Sequence, residues 1–238
     1  GTTFFVALAA APDTWDSMTY HMARVAHWEA HGSVRHYATN ITRQLYSSPF
    51  AEYAILHFQV LADGDRWANI VQWLSCLGCV LGVIQTMKVL GVGQGAVRIA
   101  ALFIVTLPIG IVQSTRTQND YVVSLWLVAT VCYGALAMRN GACLRLAAAQ
   151  GAAWGLAILT KPTGVLFGVG FLGLQGLIMI RGNVRKTLTY FVLLCSVAAL
   201  LNAPGFYRNY RSFGSISGPD TGTNMNGTMS VRVTASNI

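Results

Sequence analysis

The sequence predicts an all-α fold: a polytopic bundle of transmembrane helices, with amphipathic interfacial helices in its first outer loop. Three observations lead there. Apolar residues make up 54% of the chain and charged residues only 10%, against roughly 25% charged in a soluble domain. Six long apolar stretches follow one another after residue 66. The loops between them sort by charge, with every acid falling on one side. The net charge of +8 does not indicate nucleic acid, because the basic residues sit between apolar runs and not in one stripe. Such an excess suits loops that meet anionic lipid.

The chain reads as one membrane domain over 1–238, cut at both ends. Residues 1–11 are apolar but too few to cross a bilayer, which takes about 20 residues. They read as the end of a first membrane helix. Residues 12–66 are too polar to cross and form an external loop. Asp13 and Asp16 open a helix that runs to about Ala30 and stops at Gly32. Trp15, Met18, Met22 and Val25 fall on one face; Asp16, Tyr20, Arg24, His27 and His31 fall on another. A second short helix is expected at Pro49–Leu61.

Residues 67–203 hold the six expected spans: Trp67–Leu90, Ala96–Val112, Tyr121–Met138, Ala142–Leu159, Thr163–Ile180 and Thr187–Ala203. Gly78/Gly82, Gly151/Gly155 and Gly164/Gly168 have the spacing that lets helix backbones approach closely in a membrane. Gly168, Gly170 and Gly173 match a dinucleotide fingerprint, but no strand precedes them. Cys76 and Cys79 form a C-x-x-C inside an apolar run with no second pair for zinc, so helix packing is their simpler role. Residues 204–238 are expected outside.

If residues 1–11 exit outward, the inner loops carry Lys88, Arg98, Arg139, Arg145, Arg181, Arg185 and Lys186. The outer connections carry Arg116, Lys161, Arg208 and Arg211. Basic residues mark the cytoplasmic side, which favours this orientation. It places every Asp and Glu outside.

The outer face therefore gathers Asp13 and Asp16 with Tyr20 and His21, Arg116 with Asp120, Lys161, and Arg208 with Arg211. Carboxylates and scattered cations suit a substrate that has a phosphate and a hydroxyl to be deprotonated. Each residue also has a structural alternative. Asp13 suits a helix N-cap, Asp16 a first-turn charge and Asp120 a cap. Lys161 suits a side chain reaching up to headgroups, and the arginines suit interfacial anchors. His27 and His31 are four apart, a metal-compatible spacing, but lack a clear third ligand. Asn40-Ile41-Thr42 and Asn226-Gly227-Thr228 are glycosylation sequons.

The order of these pieces resembles the GT-C glycosyltransferases, and more narrowly the branch of protein O-mannosyltransferases, aminoarabinose transferases and bacterial lipopolysaccharide sugar transferases. The stretch Pro12-Asp13-Thr14-Trp15-Asp16-Ser17-Met18-Thr19-Tyr20-His21 looks like the family's first-loop acidic motif, with an aromatic four residues after the key Asp. Thr115-Arg116-Thr117-Gln118-Asn119-Asp120-Tyr121 is similar to a second acidic motif opening a later helix. Leu159-Thr160-Lys161-Pro162-Thr163 and Arg208-Asn209-Tyr210 resemble further family stretches. Many relatives carry Glu where this chain has Ser17, and the family's C-terminal half is absent.

The resemblance implies transfer of a sugar from a polyprenyl-phosphate donor to an acceptor hydroxyl on the non-cytoplasmic face, with inversion. Asp16 would be the base and Asp120 its support; Tyr20, His21, Arg116, Lys161 and Arg208 would bind substrate. A phosphate leaving group needs little protonation, so one carboxylate can suffice. The implied partners are the lipid-linked sugar, a glycan, lipid or protein acceptor, and membrane lipids, with no nucleic acid. No metal ligands are assigned, although a divalent cation is compatible with the chemistry. The implied location is a multi-pass protein of a bacterial inner membrane, its site facing the periplasm or exterior. The alternative is a transporter or flippase for a lipid-linked glycan. Transporters place ionisable groups near mid-membrane, and the middles of these six stretches carry no acid or cation.

Overall fold

The computed structural model describes residues 1–219. Among them are eleven α-helices and no strand. After α1 (Thr2–Ala9) the chain turns through Pro12 into a helical run that ends as α2 (Met22–His31), then α3 (Arg43–Tyr46) and α4 (Phe50–Ala62). The bundle follows: α5 (Ile70–Val89), α6 (Gln94–Thr106), α7 (Pro108–Gln113), α8 (Asp120–Asn140), α9 (Leu144–Thr160), α10 (Thr163–Ile180) and α11 (Val184–Phe213).

Four helical segments are long and apolar enough to cross a membrane: Asp65–Val89, Asp120–Asn140, Thr163–Ile180 and Val184–Phe213. The protein is thus an all-α polytopic membrane protein. The other two apolar stretches behave differently. Residues 96–112 do not form one helix. The chain leaves helical geometry at Leu107 (φ −60°, ψ 116°) and restarts at Pro108, the first residue of α7. The residue before a proline is biased to extended backbone, which accounts for the break. The stretch at 142–159 forms α9, 17 residues long, which packs between α8 and α11. The last helix continues through Pro204 to Phe213, ten residues past the end of its apolar stretch.

Small residues allow the closest packing. A Cβ added at Gly151 would lie 2.4 Å from the carbonyl oxygen of Leu194 on α11, and one at Gly164 would lie 2.8 Å from that of Ala157. Gly78 and Gly82 instead meet side-chain methyls, those of Leu125 and Val128 of α8. Dispersion and hydrogen bonds, not water exclusion, hold helices together in lipid. One polar cluster adds to this. The Tyr190 hydroxyl donates to Gln150 Oε1 at 2.6 Å, while Gln150 Nε2 donates to Gln175 Oε1 at 2.7 Å and to the Thr130 carbonyl at 3.1 Å. Four helices, α8 to α11, are tied at this point.

The first loop packs over the end of the bundle where α8 begins. Met22 and Val25 of α2 and Ala51 and Ile55 of α4 form a buried cluster with Val71 and Val122. The expected face of Trp15, Met18, Met22 and Val25 is therefore divided. Trp15 is 82% exposed, whereas Val25 is fully buried. The cause is a π turn over Ser17–His21. A π turn has a wider hydrogen-bonded ring than an α-helix, so residues before and after it no longer share one stripe. Arg24, expected on a polar face, is consequently turned inward and only 1% exposed.

Candidate active site

The helical run begins at Trp15. Thr14 caps it: its Oγ1 accepts the Ser17 N–H at 3.1 Å, the usual N-cap bond. Asp13, expected in that role, is exposed. Ser17 is buried and saturated. Its Oγ donates to the Thr117 carbonyl at 2.7 Å and lies 2.6 Å from Thr117 Oγ1 and 2.5 Å from Thr14 Oγ1. A hydroxyl has one donor and two acceptor positions, and all three are used. The first acidic motif is thereby fastened to the segment preceding α8.

Asp120 is the first residue of α8. Its neighbourhood is built from two other helices. Gln72 of α5 accepts the N–H groups of Tyr121 and Val122 at 3.2 and 3.3 Å, satisfying donors that a helix start otherwise leaves open. Asn119 Nδ2 donates to the Thr160 carbonyl at the end of α9, at 3.2 Å. The Asp120 carboxylate then pairs with Lys161 Nζ at 2.6 Å. That pair is 41% and 36% exposed respectively, so it is open to solvent and ligand. Thr117 lies three residues before Asp120, at most about 11 Å along the chain.

Asp16 is partly buried at the start of the π turn. Burial, reinforced by the nearby Asp16 charge, pushes the Tyr20 phenol up to about 12. Tyr20 therefore stays protonated at neutral pH and is a hydrogen-bond donor there. The Arg43 guanidinium stands 5.1 Å from the Tyr20 ring centroid. The sequence offered no sign of this cation, which reaches the site from the short helix α3.

The remaining expected site residues are placed differently. His21 is 2% exposed and points inward, its Nδ1 2.5 Å from Oε1 of Glu52, which is fully buried. It supports the fold of the loop and does not line an open site. Glu52 also lies 3.9 Å from Arg24, whose guanidinium donates to the carbonyls of Ser47 and Arg43. Burial alone would raise the Glu52 carboxyl, but the Arg24 charge and the His21 hydrogen bond hold it below the ordinary range. Arg116 is exposed and has no side-chain hydrogen bond or ion pair among the described residues. Arg208 donates to the Val34 carbonyl at 3.1 Å. It lines a small cavity with Ser47, Leu159 and Asn209, at the same end of the bundle but bound to the loop at 34–49. His27 and His31 stack on each other, and His27 on Tyr37. Among the described residues no three His, Cys, Asp or Glu converge as metal ligands.

An all-α membrane bundle that carries two acidic motifs and a lysine at one end, with a polar first loop packed over them, has the construction of a GT-C membrane glycosyltransferase. Residues 47–204 match the family model described as dolichyl-phosphate-mannose-protein mannosyltransferase. The chain belongs to that family of membrane glycosyltransferases. The matched region contains Arg116, Asp120 and Lys161, and the first-loop motif around Asp16 precedes it. No curated protein and no solved structure matches the chain.

Proposed function

We propose that the protein transfers a sugar from a polyprenyl-phosphate donor to an acceptor hydroxyl, with inversion, on the non-cytoplasmic face of the membrane. One observation carries this reading. The Ser17–Thr117 hydrogen bonds join the Asp16 motif to the segment that leads into the Asp120–Lys161 pair. A base and a cation for the leaving group thus belong to one end of the bundle.

Asp16 takes the proton of the acceptor hydroxyl. The acceptor oxygen bonds to the anomeric carbon as the bond from that carbon to the phosphate oxygen breaks, and the electron pair leaves with the phosphate. Lys161 stabilises the charge gained by the phosphate. An ammonium has three donors; Asp120 engages one, leaving others for phosphate. Asp120 keeps the ammonium aimed toward the site. Tyr20 donates a hydrogen bond to substrate or to Asp16, and Arg116 is available to the donor. Arg208 braces the loop at 34–49, which carries Arg43 to Tyr20. The family description makes dolichyl-phosphate mannose the first donor to assay and a protein hydroxyl the first acceptor. The loop charges support a site on the non-cytoplasmic side, and the location that goes with this reading is a bacterial inner membrane with the site toward the periplasm or exterior. The saturated Gln150–Gln175–Tyr190 cluster leaves little polar capacity at mid-depth for a transported solute, which favours transfer over transport.

Asp16→Asn tests the reading. Asn keeps the shape, so folding and donor binding should persist. Loss of a general base should lower turnover about 10²–10⁴-fold. Near-normal turnover would move the base to Asp120 or Asp13.

A further inference from the structure

At the end of the bundle opposite Asp120, the α8–α9 and α10–α11 turns stand side by side. Two cavities of about 390 Å³ each open there. One is lined by Cys143, Leu144, Arg185, Lys186, Thr189 and Tyr190. The other is lined by Met138, Ile178, Met179, Asn183 and, again, Lys186. Their size falls within the range of small-molecule sites. Arg145 and Arg181 flank them, and all four cations are exposed. The acids among the described residues lie in the first loop or at Asp120, the other end, so none of these carboxylates offsets this charge. The charge at the α11 start also adds to the positive end of a 30-residue helix.

Loop charge alone accounts for basic residues near a membrane surface. It does not account for a cavity with an apolar floor beneath them. The Tyr190 ring lines that floor while its hydroxyl is already committed to Gln150. Cations at the rim, hydroxyl and amide groups below, and apolar walls leading toward the lipid-facing sides of α10 and α11 match one ligand chemistry: a phosphate attached to acyl chains. We propose that this cleft is a binding site for an anionic phospholipid of the adjoining leaflet, held at its phosphate by Arg185 and Lys186. Basic pockets between helices near a membrane surface recognise such headgroups. Bound there, the lipid bridges the two turns and braces α9 against α11, which pack against each other along the bundle.

The site is independent of the proposed transfer reaction, so its test reads lipid retention and not turnover. Full-length protein in detergent is titrated with phosphatidylglycerol or phosphatidylcholine, and bound lipid is counted by native mass spectrometry alongside thermal unfolding. The expected result is one or two retained phosphatidylglycerol molecules, a raised unfolding temperature, and no such effect from phosphatidylcholine. Arg185→Ala with Lys186→Ala should weaken retention by about thirtyfold, as two cations near a charged surface contribute. Both side chains are exposed, so the variant should fold. Arg98→Ala, on α6, supplies the control for general surface attraction. Equal losses in the two variants, unchanged retention in the double variant, or equal stabilisation by inorganic phosphate alone would each overturn the proposal.

Discussion

Ser17 and Thr117, one hundred residues apart, exchange hydrogen bonds at 2.6 and 2.7 Å and so join the first loop to the entry of α8. This contact, and not any direct bond between acids, brings the two acidic motifs to one place. It also explains why Ser stands where the family resemblance leads one to expect Glu. The position is fully buried and ringed by two threonines, so a carboxylate there would be enclosed without a cation beside it.

Ser17→Ala removes the hydroxyl and leaves Thr117 and Thr14 without their partner. Unsatisfied buried polar groups cost about 1–3 kcal/mol each. The variant should therefore unfold at a lower temperature and lose turnover, because Asp16 drifts from Asp120. Ser17→Glu should be worse on both counts. Thermal unfolding and initial rates, measured together, check this; wild-type values for Ser17→Ala would show that the contact positions nothing.

The Glu52 cluster predicts an acid limb in stability. The carboxyl is held below its ordinary value of 4.5 by Arg24 and His21, against the opposing effect of burial. A carboxyl with a depressed folded value binds fewer protons folded than unfolded. Its contribution is then fully present above about pH 4.5 and is lost as pH falls through the lower folded value. Glu52→Gln should be less stable at neutral pH, by roughly 3 kcal/mol as for a broken buried pair. It should also show a flatter decline below pH 4.5. Unfolding midpoints across pH 3–7 would decide; parallel curves for the two proteins would sink the assignment.

Helix contacts were more legible than side-chain partners. Hydropathy and spacing located α5, α8, α10 and the start of α11 within a few residues, since lipid demands long apolar runs and close approach demands small residues; the polar last turns of α11, ten residues beyond the apolar stretch, carry no such signal. Pro108 carries the signal for the break after α6, and its effect on Leu107 outweighs the surrounding apolar run. The π turn left no comparable trace. Its effect is a shift of register, which turns Arg24 and Val25 inward while Trp15 stays exposed, without altering composition. Glu52 and Gln72 were invisible for a related reason: a buried polar side chain is defined by a partner distant in sequence. Asp16, Asp120 and Lys161 could be singled out because charge near a membrane is scarce. Arg43 could not, because only the fold sets it over Tyr20.

Close packing of α9 on α11 gives a prediction with an internal control. In Gly151→Ala the new methyl meets the Leu194 backbone oxygen at 2.4 Å, and backbone cannot step aside as a side chain can. Overpacking of this kind costs about 1–3 kcal/mol. Gly170 has nothing within 4 Å of its would-be Cβ, so Gly170→Ala should be neutral or gain up to about 1 kcal/mol from helix propensity. Unfolding of both variants in one detergent provides the comparison. Equal destabilisation would mean that the α9–α11 approach is looser than described.

The Asp120–Lys161 pair separates a structural role from a functional one by magnitude. The two side chains are 41% and 36% exposed. An ion pair so open to solvent contributes only about 0.2–1 kcal/mol to stability, because water screens it and both side chains lose rotamer freedom. Lys161→Met should thus unfold within a few degrees of the wild type. If Lys161 receives the donor phosphate, the same substitution removes a charged contact that strengthens as the phosphate departs. It should then lower kcat/KM for the lipid-linked sugar by at least about tenfold, equivalent to about 1.4 kcal/mol. Asp120→Asn leaves the ammonium in place and should affect the reaction less, through its aim alone. The double variant distinguishes the routes. If Asp120 acts only by orienting Lys161, adding Asp120→Asn to Lys161→Met should cause no further loss, since there is nothing left to orient. A further loss in the double variant would give Asp120 a separate contact with substrate. Wild-type kcat/KM for Lys161→Met would remove the lysine from the donor site and leave Arg116 as the cation to examine next.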